Sequence, residues 1–276
     1  MQNNKGLIVL SLFDGMSCGQ IALEKIGAKV DKYFASEIDK HAIKVTQTNY
    51  PETIQLGDIL NVKADDLPKI DLLMGGSPCQ GFSFAGKQLN FNDPRSKLFF
   101  EYVRILKETK PKYFLLENVR MKKEYQDIIS KYLGVEPIMI NSNLVSAQNR
   151  KRYYWTNIQN IEQPTNKGIL LKDILDLNIK GDLTEDYIKH KQGQKRWGNH
   201  FATIDKEKSN TLCAIGKSDV ILFTDIKRYV DVLECERLQT VPDNYTNSVS
   251  MTQRYKMIGN GWTVDVIAHI FKNMEI

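Results

Sequence analysis

The chain has 276 residues, 42% of them hydrophobic and 26% charged, which suits one or two packed domains and excludes a disordered chain. Lys and Arg number 38 against 33 Asp and Glu, a formal charge of +5 that permits a nucleic-acid partner without demonstrating one. The first apolar run, LIVLSLF, ends in Asp14 and Gly15, so neither a signal peptide nor a membrane span fits there, and a cytoplasmic protein is expected.

In chain order, LIVLSLF reads as a strand and 18–27 as a helix, KYFASEI as a strand and 39–49 as a helix. TIQLGDI and DLLMGG read as strands and 96–109 as a helix, followed by KYFLLENV, a helix over 121–133, EPIMINS and RYYWTNI. This alternation predicts an α/β fold, a mostly parallel sheet with helices on both faces and ligands at the strand carboxyl ends. After Ile158 the sequence turns more polar, in QNIEQPTNKG and DKEKSNT, up to the helical VDVLECERLQTV, which predicts a second, smaller domain. A last helix over 263–272 carries Val264, Ile267, Ala268 and Phe271 at helical spacing and is expected to pack on the first domain's sheet. The expected divisions are 1–157, 158–251 and 252–276.

Four stretches carry candidate chemistry. Phe13 to Gly19, FDGMSCG, joins a strand to a helix with glycines that let backbone approach a ligand, although it is not GxGxxG. Glu37, 22 residues after Gly15, and Asp58 close the next two strands. Each alone reads as a solvated strand-end charge; as an ordered set they suit ribose hydroxyls and an adenine amine. GGSPCQGFS places Cys79 where a buried strand gives way to a loop, a place for a reactive thiol rather than a packed one. Glu117 closes another strand and is either a partner for that thiol or a helix cap.

In SAQNRKRYYW, Gln148, Arg150 and Arg152 alternate, so they share one side of an extended segment that suits phosphate or a base carbonyl, or forms a solvated edge. The run YIKHKQGQKRWGNH holds Lys189, Lys191, Lys195 and Arg196 among Tyr187 and Trp197, suited to nucleic acid or to a solvated loop. The four cysteines, Cys18, Cys79, Cys213 and Cys235, show no metal-ligand spacing, so no metal is expected.

Taken in order, FDGMSCG, GGSPCQGFS, ENV, QNRKR, ECERLQTVPDNY and GNGWTVDVI resemble the motifs of the DNA (cytosine-5) methyltransferases. Asp14 where an Ala is frequent, GNGW and RSKLFFEYVRIL are similar to the de novo branch and to phage-type enzymes. The Cys-Phe-Thr signature of an RNA-methylating branch does not occur, which favours DNA over RNA.

The resemblance implies a Rossmann-like S-adenosylmethionine-dependent methyltransferase fold with a small target-recognition domain. It also implies Cys79 as nucleophile on C6 of a flipped-out cytosine and Glu117 as the acid at N3. Arg152 and Arg150 would meet the base carbonyl and a phosphate, with the division between them open. S-adenosylmethionine, leaving as S-adenosylhomocysteine, would lie against Phe13 at the adenine, Asp14 and Gly15 at the methionine end, Glu37 at the ribose and Asp58 at the adenine amine. Ser17, Ile38, Ile59, Pro78, Asn260, Gly261 and Trp262 would complete that site. Double-stranded DNA would be met by Gln80, Ser83, Lys189, Lys191, Lys195, Arg196 and Thr211, the last in SNTLCA, with 84–93 as a lid. A monomer, nucleoid-associated in a bacterial or phage-infected cell, is expected, with a separately encoded restriction endonuclease as possible companion.

Overall fold

Runs such as LIVLSL and YFLLENV are apolar on both faces, so as strands they are stable only inside a sheet covered on both sides. The computed structural model describes residues 5–78, 97–176, 178–179, 181, 201–203, 207–213, 220–222 and 227–276. In it, β1 (Leu7–Leu12), β2 (Val30–Ser36), β3 (Ile54–Gln55), β4 (Leu72–Gly75), β5 (Tyr113–Val119), β6 (Ile138–Asn141) and β7 (Lys151–Thr156) form one sheet. The order is β3-β2-β1-β4-β5-β7-β6, with β3 through β5 parallel and β7 antiparallel to β5. Helices α1 (Cys18–Lys25), α2 (Lys40–Asn49), α3 (Lys97–Thr109) and α4 (Lys123–Leu133) connect the strands.

The register aligns the strand ends. Leu12 pairs with Ser36 on one side and Gly75 on the other, and Gly75 pairs with Leu116. The segments that follow β1, β2 and β4 therefore emerge along one edge, level with the last residues of β5, and the order reverses between β1 and β4, where such sheets bind ligands. Because β7 runs antiparallel, its first residues lie beside the end of β5, with Arg152 opposite Val119. Leu10, Leu12, Phe34, Leu73, Phe99, Tyr102, Leu116, Ile129 and Trp155 belong to one buried cluster, and Trp155 Nε1 donates to Ser130 Oγ of α4 at 3.0 Å.

TIQLGDI is only partly a strand. Gly57 turns to φ +73°, and Asp58 caps a 3₁₀ turn over Ile59–Asn61 by accepting Leu60 N at 3.0 Å, so pairing stops after Gln55.

The chain divides into two compact units: Met1–Ile140, Lys151–Gln163 and Val266–Ile276 in the first, Asn141–Arg150 and Pro164–Asp265 in the second. The second unit contains the three-stranded sheet β8 (Phe201–Thr203), β9 (Val220–Leu222) and β10 (Lys227–Tyr229) in the order β10-β9-β8, and helices α5 (Val232–Leu238) and α6 (Met251–Asn260). Its ion pairs are buried: Arg228 to Glu234 at 2.6 Å and Arg254 to Glu236 at 3.1 Å, each glutamate also accepting backbone N–H groups. Helix α7 (Val264–Phe271) has its residues from Val266 onward in the first unit. Among the described residues no helix is long and apolar enough to cross a membrane.

Candidate active site

The loop after β1 is held in a conformation that L-residues adopt at a cost. Phe13, Gly15 and Ser17 have φ of +57°, +60° and +60°; for the two that are not glycine this costs about 1 kcal/mol each. Bonds to the loop compensate. Asp14 N donates to Ser36 O at 3.2 Å, Ser17 N to Asp14 O at 3.1 Å, and Gly15 N to Glu37 Oε2 at 2.7 Å. Beneath the loop, the Asp14 carboxylate accepts Tyr33 Oη at 2.7 Å and the Ser17 hydroxyl. Burial raises Asp14 to about 6, against the opposing pull of hydrogen bonds from Ser11, Ser17 and Tyr33, with the Glu37 charge adding to the rise.

Glu37 is fixed by three backbone donors. Besides Gly15, Ile38 N and Asp39 N reach its Oε1 at 2.7 and 2.8 Å. Ile38 beside it is 75% exposed, an apolar side chain displayed to solvent next to an anchored carboxylate. Asp58 and the buried Ile59 follow on the next strand end. A Cβ on Gly15 would meet nothing within 4 Å, so the face of the loop there is open. An open backbone loop, an exposed apolar side chain and two strand-end carboxylates form a donor set that fits a nucleoside carrying a ribose and an amino-purine.

Beyond β1 lies β4. A Cβ on Gly75 would come 2.8 Å from Leu12 O, so only glycine lets the two strand ends approach this closely. The buried Ser77 is gripped by Asn118 of β5, whose Nδ2 donates to Ser77 Oγ at 3.2 Å and to its carbonyl at 3.4 Å. Ser77 and the half-buried Pro78 thus leave the sheet in a fixed direction. Next to Asn118, the buried Glu117 has Oε1 3.0 Å from Arg152 Nε, an ion pair across β5 and β7 without hydrogen-bond alignment at that nitrogen. Glu37, Asp58, Pro78, Glu117 and Arg152 therefore belong to one edge of the first unit's sheet.

Arg150 is held by backbone of the second unit. It is 3% exposed, and its guanidinium donates to Leu212 O at 3.0 Å, Gly259 O at 3.2 Å and Gly261 O at 2.9 Å, all in the second unit. A guanidinium bonded to three backbone carbonyls ties these segments of the second unit together. Thr211 likewise donates its hydroxyl to Asn149 O at 2.5 Å, while Gln148 Oε1 accepts Leu212 N at 2.9 Å. In the same unit Gly261 and Trp262 are half-buried and Asn260 is exposed. Cys79, Gln80, Ser83, the 84–93 segment, Lys189, Lys191, Lys195 and Arg196 lie outside the described residues.

Two contributors carried no site assignment from sequence: Tyr33 and Asn118. Asn118 sits inside the ENV motif, whereas Tyr33 has no motif spacing that points to a partner.

Residues 7–218 and 217–275 match the family described as C-5 cytosine-specific DNA methylase. Over 302 residues the chain is 33% identical to type II methyltransferase M1.ScrFI of Lactococcus lactis subsp. cremoris, covering 96% of this chain and 77% of that one. It is 30% identical to type II methyltransferase M.NlaX of Neisseria lactamica over 97% of this chain and 96% of that one. Among solved structures it is similar to the Entamoeba histolytica methyltransferase EhMeth, with a TM-score of 0.80, 19% identity, and 99% and 100% of the two chains covered.

Proposed function

The chain belongs to the C-5 cytosine-specific DNA methylase family, and from that premise we propose how its own residues carry the reaction. It is a DNA cytosine C5 methyltransferase of a family dependent on S-adenosylmethionine. The observation that supports the assignment of roles is the common sheet edge that holds Glu37, Asp58, the Ser77–Pro78 exit, Glu117 and Arg152.

Cys79, the residue after Pro78, is the nucleophile in this reading. Its thiolate adds to cytosine C6, the C5–C6 π pair moves toward C5, and a proton at N3 offsets the charge gathering in the ring. Glu117 handles that proton, and Arg152, held beside it, donates to the base carbonyl. Asn118 serves by fixing Ser77, hence the direction from which the thiol approaches. S-adenosylmethionine, when bound, supplies an electrophilic methyl group for C5. Glu37 then takes a ribose hydroxyl with the lone pair its three backbone donors leave over, Asp58 takes the adenine amine, and Phe13 and Ile38 cover the ring. A solvent water then takes the C5 proton, the C–H pair becomes the C5–C6 double bond, and the C6–S bond breaks to release the Cys79 thiolate and restore the aromatic ring.

The base is reached only by flipping it out of the duplex, which costs roughly a few kcal/mol. Arg150 is a positioning residue here, since its donors face backbone. The second unit reads the DNA site through its variable segment, with Thr211, Lys189, Lys191, Lys195 and Arg196 as proposed contacts and Gln80 and Ser83 beside the flipped base. Asn260, Gly261 and Trp262 are assigned to the cofactor on resemblance alone. The proposal takes the chain as a monomer, with a separately encoded restriction endonuclease as companion.

Cys79→Ser tests the central assignment. The variant is expected to bind S-adenosylmethionine like the wild type, to methylate no DNA, and to form no covalent adduct with 5-fluorocytosine DNA. Adduct formation that survives the substitution removes Cys79 from its role.

A further inference from the structure

Asp14 lies in the loop expected to meet the methionine end of the cofactor, yet its carboxylate is turned under that loop. One oxygen accepts the hydroxyl of Tyr33, on β2, at 2.7 Å; the other accepts the hydroxyl of Ser17. Ser17 Oγ is itself within reach of Gln20 Nε2 at 3.1 Å and Thr46 Oγ1 at 3.3 Å, so the Asp14 carboxylate is tied through Ser17 to α1 and α2. Tyr33 is 4% exposed and Ser17 fully buried, which leaves water little part in the arrangement. The three residues of the loop with positive φ, Phe13, Gly15 and Ser17, flank this carboxylate or follow it.

We propose that Tyr33 is a positioning residue for methyl-donor binding: its hydroxyl holds Asp14, and through Asp14 and Ser17 the backbone of the donor loop. The inference rests on the assignment of that loop to S-adenosylmethionine. The loop keeps its shape when both Asp14 oxygens accept, which requires the ionised carboxylate. The groups that face Asp14 are Ser11 of β1, Ser17 of the loop, Tyr33 of β2 and the Glu37 carboxylate that follows β2. Three are hydroxyl donors to the anion; Glu37 and burial oppose it, which raises Asp14 to about 6. Protonated Asp14 cannot accept from both hydroxyls. Protonation therefore turns or breaks one of these two bonds, and with it the support of the loop.

Tyr33→Phe deletes one hydroxyl and keeps the buried ring. Two measurements on the full chain test the proposal: the pH dependence of S-adenosylmethionine binding by calorimetry, and the Asp14 carboxyl titration by carbon NMR without ligand. In the wild type, affinity is expected to fall as pH drops through the Asp14 titration. In Tyr33→Phe, the dissociation constant should rise on the order of tenfold, and both the Asp14 titration and the binding midpoint should move to higher pH, since the anion has lost a donor. A loss of stability alone moves neither midpoint. In an Asp14→Asn background, Tyr33→Phe should add nothing further to the loss of affinity. An unchanged Asp14 titration, or unchanged affinity with wild-type pH dependence, overturns the role of Tyr33 while leaving the cofactor assignment standing. A wild-type chain that binds no S-adenosylmethionine at any pH overturns the cofactor assignment and this inference with it.

Discussion

Buried acids leave marks on stability as well as on binding. The folded state raises Asp14 from an ordinary 3.8 to about 6, so between those values it binds a proton that the unfolded chain has released. Stability from this group is fully present below the unfolded value and is lost as pH rises through the folded one, a loss of about 3 kcal/mol across the window. Urea unfolding at pH 4 and at pH 7 should therefore show a steeper fall for the wild type than for Asp14→Asn. Equal slopes would mean that the carboxylate is not desolvated as described. Glu37→Ala and Asp58→Ala should each weaken S-adenosylmethionine binding by about 1 to 3 kcal/mol, the loss expected when a buried hydrogen bond loses a partner. Calorimetry on the folded variants checks this, and unchanged affinity in both removes their ribose and adenine roles. The strand-end positions of Glu37, Asp58 and Glu117 were legible in the sequence because each follows an apolar run, and Arg152 because it alternates with Gln148 and Arg150 ahead of one. Tyr33 was hidden, since an aromatic on a buried strand reads as core, and its hydroxyl bond is made to a residue 19 positions away. The backbone partners of Arg150 were not legible, because alternation gives the side and not the partner.

The connecting segments differ most between sequence expectation and structure. Helices α1 to α4 follow the apolar periodicity to within a few residues, whereas in the 252–276 segment, where one helix over 263–272 was expected, a second precedes it, α6 (Met251–Asn260). Its sequence MTQRYKMIGN is polar, and its buried face includes Arg254, satisfied by Glu236 and Thr246, a pairing that no local pattern reveals. The end of this helix is organised by Gln239, whose side chain is fully buried with all four of its hydrogen-bonding positions used. Its Nε2 donates to Ile258 O at 2.9 Å and Gly261 O at 3.1 Å; its Oε1 accepts Thr263 Oγ1 at 2.8 Å and Gln148 Nε2 at 3.3 Å. Gln239→Leu leaves several of those partners buried and unpaired, and a destabilisation of about 3 kcal/mol or more is expected. Thr240→Ala, at the next and half-buried position, should cost distinctly less. Comparable midpoints for the two variants in urea would remove Gln239 from this role.

At the scale of the molecule, the α/β class and the parallel sheet follow from the alternation of apolar runs and amphipathic helices. The antiparallel β7 does not, because strand direction beside β5 depends on a chain reversal that hydrophobic periodicity leaves unspecified. The second unit was the least legible part: its buried ion pairs, such as Arg228 with Glu234, join residues that no apolar period singles out. What the whole chain does is tested most directly by mapping modified bases in DNA from cells that express it, by bisulfite and long-read sequencing, beside cells expressing Cys79→Ser. The expected result is 5-methylcytosine within one short recurring sequence, present with the wild type and absent with the variant. Methylated adenine, methylation at cytosine N4, or 5-methylcytosine that persists in the Cys79→Ser cells would contradict the account.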